Sequence, residues 1–213
     1  MSRMDAQREL LDLTEYRHRK QLIAEEQTRA VYDSAMEYCR QETNIREIVR
    51  AKMIFTKRFA PVARDSLTEN VFSEWLLFDY KTIKGTTLFF QFLQTRSLSP
   101  SKKTLGAVMM TVPWEPVSIE GHEGGEPICM PLLGDHREPV RLRGMSDVKK
   151  DRTYFVRKVP LVTHEWTLGP VFEAGSPDLV DTMKKRYGQR YQENGGLWRA
   201  FLKEEAPEFI LTD

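Results

Sequence analysis

The chain has 213 residues, enough for one large domain or two small subdomains around a real core. Hydrophobic residues make up 40% and charged residues 30%, which argues against a disordered chain, and its apolar runs fall short of the ~18–20 residues a bilayer span needs. Net charge is +1, so bulk charge attracts no acidic partner and any nucleic-acid or membrane site has to be a local patch.

Residues 4–41 contain no Gly or Pro and predict one long helix or two stacked ones. Leu10, Leu11, Leu13, Leu22, Ile23, Val31, Tyr32, Ala35, Met36 and Cys39 form a loose apolar stripe, with charges such as Glu15 and Arg19 on the solvent side. The first twenty residues are sparse in apolar groups, which fits a segment that projects, frays or packs on a partner. A second helix is expected over 43–59, capped by Thr43 or Asn44 and ended by Pro61. "SLTE", 66–69, has the capping-box pattern, with Ser66 as the cap and Glu69 reaching back. The helix it opens carries Val71, Phe72, Trp75, Leu76 and Phe78, and Gly85 breaks it. Thr86 or Thr87 starts the next helix, and Ser99–Pro100 starts another.

The pattern turns strand-like at 114. "WEPVSIE" and "EPICMPLL" flank "GHEGG" as a hairpin. "PVRLRG" alternates, with Val140 and Leu142 inward and Arg141 and Arg143 outward. "RTYFVRKV" and "LVTHEWTL" are two further strands joined at Pro160, and "GPVFEAG" is a candidate last one. Helical character returns at 176, with Ser176 as cap and Pro177 at the first position. Gly195–Gly196 then separates that helix from "LWRAFLKEEA" and the apolar tail "PEFILTD".

Tests for chemistry are negative. There is no CxxC, HxH or HExxH, and the scattered His122, Cys129, His136 and His164 lack the paired spacing of zinc ligands. No GxSxG, SxxK, GxxxxGK or GxGxxG occurs. Cys129 lies in the apolar run "PICMP", which raises a thiol pKa rather than lowering it. Cys39 and Cys129, 90 positions apart, do not suggest a disulfide framework, and the setting they imply is reduced and cytoplasmic. The charged N-terminus shows no secretory h-region. We assign no catalytic residue, metal or cofactor, and an enzyme is the least favoured class.

Two charge features remain. Asp79 near a helix C-terminus opposes the helix dipole, so it either caps the following turn or pairs with a base. Residues 137–158 hold eight bases against three acids. Arg141, Arg143, Lys149, Lys150, Arg152, Arg157 and Lys158 interleave there with Tyr154 and Phe155 on strands. A basic, aromatic-bearing barrel face suits single-stranded nucleic acid through phosphate neutralisation and stacking, while the plainer reading is a solvated strand face.

"FSEWLLFDY", "KGTTLFFQFLQ" and "LSPSKKTLGAVM" follow one another within 70–110. This ordered block resembles the body of bacterial proteins that often carry a C-terminal SEC-C motif. The resemblance implies helices leading into a small β region, and a bacterial cytosolic setting. The Cys cluster of the SEC-C motif is missing, so zinc binding does not carry over. The aromatic residues at helical spacing in this block are expected to be core rather than a cofactor box.

The expected fold class is α+β. A helical bundle (1–112) precedes a small antiparallel β-barrel-like region (113–175) and C-terminal helices (176–213), as separate regions or as one continuous domain. The expected function is a non-enzymatic binding module for single-stranded nucleic acid or a nucleoprotein, acting through the basic β face. The alternative is a protein-interaction or assembly protein that engages a partner or itself through the long N-terminal helix and the apolar C-terminal tail. No membrane partner is expected.

Overall fold

The computed structural model describes residues 3–59, 65–134, 138–176, 178–192 and 197–211. Pro61, His136, Arg137, Pro177 and Gly195–Gly196 lie outside them. The fold is α+β, with N-terminal helices, a central sheet and C-terminal helices.

Without a breaker, α1 (Arg3–Glu42) runs as one continuous helix. Asn44 rather than Thr43 opens α2 (Ile45–Phe59), since its side-chain oxygen accepts from the Arg46 amide at 2.9 Å. The start of α3 (Ser66–Phe78) differs from the capping-box expectation. Asp65 is the cap and accepts from the Thr68 amide at 2.8 Å, which places Ser66 inside the first turn. That bond also holds the Asp65 carboxyl below its ordinary pKa. Thr87 caps α4 (Leu88–Thr95), and Ser99 caps α5 (Pro100–Met109) with Pro100 in the first turn. Gly106 lets α4 and α5 approach, because a Cβ there would stand 2.5 Å from Leu93.

The sheet begins with a hairpin of β1 (Trp114–Glu123) and β2 (Glu126–Pro131). Its two-residue turn is Gly124–Gly125, both with positive φ as a tight hairpin turn needs. β3 (Val140–Arg143), β4 (Thr153–Pro160) and β5 (Glu165–Glu173) complete it. The pairing order β1-β2-β3-β5-β4 closes on itself through β1 and β4. One pair departs from the all-antiparallel expectation: β3 runs parallel to β5, Leu142 beside Glu165 and Arg143 beside Trp166. The two strands read in "LVTHEWTL" and "GPVFEAG" are one strand. Residues 161–164 form the turn before it, closed by the Leu161 amide on the His164 carbonyl.

Ser176 does not cap α6 (Leu179–Tyr187). Its hydroxyl accepts from the amide of Asp178, the residue at the cap position two places further on, at 3.3 Å. α7 (Trp198–Leu211) runs on through Pro207 and takes in most of the apolar tail. Phe209 and Ile210 are buried, so that tail belongs to the core and is not a free assembly surface. The main core draws Val31 and Phe89 from the first region, Trp114 and Phe155 from the sheet, and Phe201 from α7. The aromatic stretch at 70–94 sits in it, with Phe72, Trp75, Phe78, Tyr80, Phe89 and Phe92 all buried. A smaller cluster of Val117, Ile119, Cys129, Leu142, Tyr154 and Val156 lies on the sheet.

Candidate functional site

The basic residues of 141–158 are drawn together by β3, the following loop and β4, but most meet an acid there. Arg141 pairs with Glu123 at 2.5 Å. Arg143 pairs with Glu126 of β2 and, at 2.9 Å, with Glu25 of α1. Arg152 faces Glu173 at 3.6 Å. Lys158 lies between Glu115 and Glu165, 3.2 Å from each. Burial works against the Lys158 charge, yet the two carboxylates raise its pKa overall. Lys149 and Lys150 are exposed in the β3–β4 loop and make no ion pair among the described residues.

Two of the candidates are not on a surface at all. Tyr154 is buried, and its hydroxyl accepts from the Lys149 amide at 3.0 Å, so its ring cannot stack on a base. Arg157 is 0% exposed. Strand alternation alone did not reveal this, because the barrel face of β4 that carries Arg157 is roofed by α3.

Arg157 answers the question raised by Asp79. Its guanidinium donates to Asp79 Oδ2 at 2.5 Å and to the Val112 carbonyl at 2.8 Å. Its Nε stands 3.8 Å from Glu74, and the group lies over the Trp114 ring at 4.1 Å. Tyr32 of α1 donates to the same Glu74. Four elements therefore converge on one buried cation: α1, α3, β1 and β4. Two carboxyls share a single guanidinium, and burial pushes Glu74 up to about 7 against the opposing pull of Arg157 and Tyr32. Burial and Glu74 also raise the Tyr32 hydroxyl. Five positions apart on a helix, Glu74 and Asp79 read as poor partners, and Tyr32 read as part of an apolar stripe; a shared guanidinium joins the two carboxyls, with Tyr32 bound through Glu74, and the misplaced charge of Asp79 was the signal pointing to it. Chemically the cluster ties helices to sheet, because its charged groups are closed to solvent.

A cavity of about 730 Å³ opens between α5, the sheet and α7, with Lys158, Glu115, Glu165, Tyr187 and Trp198 on its wall. Its single ammonium is already held by two carboxylates. Burial pushes the thiols of Cys39 and Cys129 up to about 11 and about 12, which leaves both as protonated, unreactive groups at neutral pH. Among the described residues no group of three or more His, Cys, Asp or Glu is placed to hold a metal ion, and no helix is long and apolar enough to cross a membrane.

Exposed apolar side chains concentrate elsewhere. Every side chain from Asp12 to Lys20 of α1 is exposed, including Leu13 and Tyr16 at 53% and 54%. The next residue, Gln21, is buried and accepts from the Thr163 amide at 2.9 Å. Leu22 and Ile23 are also exposed, as are Ile45, Val49, Met53 and Ile54 of α2. Comparison with protein-family profiles, curated proteins and solved structures finds no match to the chain.

Proposed function

We propose that this is a non-catalytic protein-interaction and assembly protein, in which the closed sheet and helical core anchor α1 so that its N-terminal half engages another protein chain. The observation that carries the reading is the run of nine exposed residues from Asp12 to Lys20. They extend about 13 Å along the helix before the buried Gln21, at 1.5 Å per residue. An isolated helix of that length is marginal in water, and Leu13, Tyr16 and Ile23 give this one an apolar seam that the body leaves uncovered. The reading includes a bacterial cytosolic setting. That part rests on the likeness of 70–110 to SEC-C-bearing proteins and on the two free, buried cysteines.

Light scattering of the purified chain, with an affinity pull-down from cytosol, tests it against the L13S/Y16S/I23S variant. The intact chain is expected to give a larger particle or retain a partner, and the variant to lose it. Identical behaviour of the two proteins overturns the reading.

A second reading is favoured by one observation, the exposed and unpaired Lys149 and Lys150. Small Greek-key barrels bind oligonucleotides across the β2–β3 face and its adjoining loops. Here that face carries Arg141 and Arg143, and the β3–β4 loop adds Lys149, Lys150 and Arg152. Because acids already hold the two strand arginines, the loop carries this reading. Single-stranded RNA binding that falls steeply with salt, and disappears in K149A/K150A/R152A, is the expected result. Absence of binding at low salt sinks it.

A further inference from the structure

α2 lies on the outside of the helical layer. Only Ala51, Phe55 and Phe59 are buried, a narrow ridge at i, i+4 and i+8. Ile45, Val49 and Met53 repeat the same spacing on the outer side and are 69%, 52% and 68% exposed. Arg46 and Arg50 follow one position further round the helix, and Lys57 falls on the same line at 3.6 residues per turn. The helix holds five bases against Glu47 alone, an excess of four within a molecule of net +1. Lys52 and Arg58 turn toward Glu69 of α3 and toward Glu204 and Glu205 of α7. Arg50 meets Glu47 at 3.2 Å. Arg46 and Lys57 make no ion pair among the described residues.

We propose that this outer face of α2 docks an acidic amphipathic helix of another protein. An aliphatic stripe at i, i+4 and i+8 is the pattern against which a helix lays its apolar side, and the parallel basic ridge selects carboxylates on the flank of that helix. The exposed thioether of Met53 adapts to varied partners. A second copy is disfavoured as the occupant, because a two-fold contact would set the ridge of Arg46, Arg50 and Lys57 against the same three bases. A lipid surface is disfavoured because helices that lie in a bilayer interface bury Trp, Phe or Leu. The aromatic residues of α2, Phe55 and Phe59, face the core instead. The proposal rests on the interaction reading but fails separately from it: α1 variants leave docking on α2 unchanged.

The test uses the full chain and two labelled peptides of one apolar pattern. Leu occupies the seam in both, and the remaining positions are Glu in one and Lys in the other. Fluorescence anisotropy is expected to show binding of the Glu peptide, weakened by salt, and about tenfold weaker in V49S/M53S and in R46E/K57E. Both variants change exposed side chains, and circular dichroism confirms that each is folded. Equal or absent binding of the two peptides overturns the proposal. So does capture on phosphatidylcholine–phosphatidylserine vesicles without Glu-peptide binding, or a concentration-dependent dimer that V49S/M53S abolishes.

Discussion

Arg157 is the residue whose removal has the sharpest consequence. It stands 2.5 Å from Asp79 in a site closed to water, so Arg157→Ala strands a buried carboxylate rather than merely deleting a contact. Loss of one partner from a buried pair costs about 3–5 kcal/mol. Urea unfolding should show a shift of that size, and a shift below about 1 kcal/mol would mean that water reaches Asp79 in the folded protein. Glu74 gives a pH signature. Its carboxyl is raised by burial to about 7 from an ordinary value of 4.5. Between those values the folded chain keeps a proton that the unfolded chain releases, so stability contributed by this group is full below 4.5 and falls as pH rises to about 7. The loss is on the order of 3 kcal/mol. Glu74→Gln removes the titration, so its stability relative to the parent should rise between pH 5 and pH 8. A difference that is flat across that range would show that Glu74 is ionised throughout. Sequence alone offered only half of this network. Asp79 was out of place against the helix dipole, but nothing local marks a strand arginine as its partner 78 residues away.

At the scale of elements, the sequence was most legible where the signal is local. Helical spacing, Thr87, Ser99–Pro100 and the glycines of "GHEGG" act through neighbours in the chain, and each element forms there, although β1 runs on to Glu123 and shortens the hairpin loop to Gly124–Gly125. The errors fall where two local signals compete or where a distant contact decides. Asp65 and Ser66 are adjacent cap residues, and the aspartate takes the role because its carboxylate also meets the positive end of α3. Asp65→Ala should therefore lower the urea midpoint while Ser66→Ala leaves it in place. The reverse order would restore the capping box at Ser66. β5 was divided because Gly169–Pro170 resembles a turn. The glycine is instead required by contact: its φ is +72°, and a Cβ there would stand 2.9 Å from the Tyr32 hydroxyl and 3.0 Å from the Glu74 carboxylate. The parallel β3–β5 pair was illegible for a similar reason, since it is set by how the barrel closes and not by any turn.

For the whole molecule, the change of pattern near residue 113 suggested a boundary, yet the core crosses it. Trp114, Phe155 and Phe172 pack in the same cluster as Phe89 and Phe201, and Arg157 carries its counter-charges on α3. The β region cut out as residues 113–175 would expose those rings and leave Arg157 buried without a carboxylate. Its own cluster is only six buried residues, too little apolar burial to offset chain entropy. The fragment 113–175 is thus expected to lack dispersed amide signals in a proton–nitrogen correlation spectrum, while the full chain unfolds in one cooperative transition followed by both far-ultraviolet dichroism and tryptophan fluorescence. The L13S/Y16S variant should not alter that transition, because both side chains are exposed and the anchoring contact of Gln21 with Thr163 survives. A folded β fragment, or two separated transitions in the full chain, would mean that the sheet is a domain in its own right and that the Arg157 cluster joins two units which fold separately.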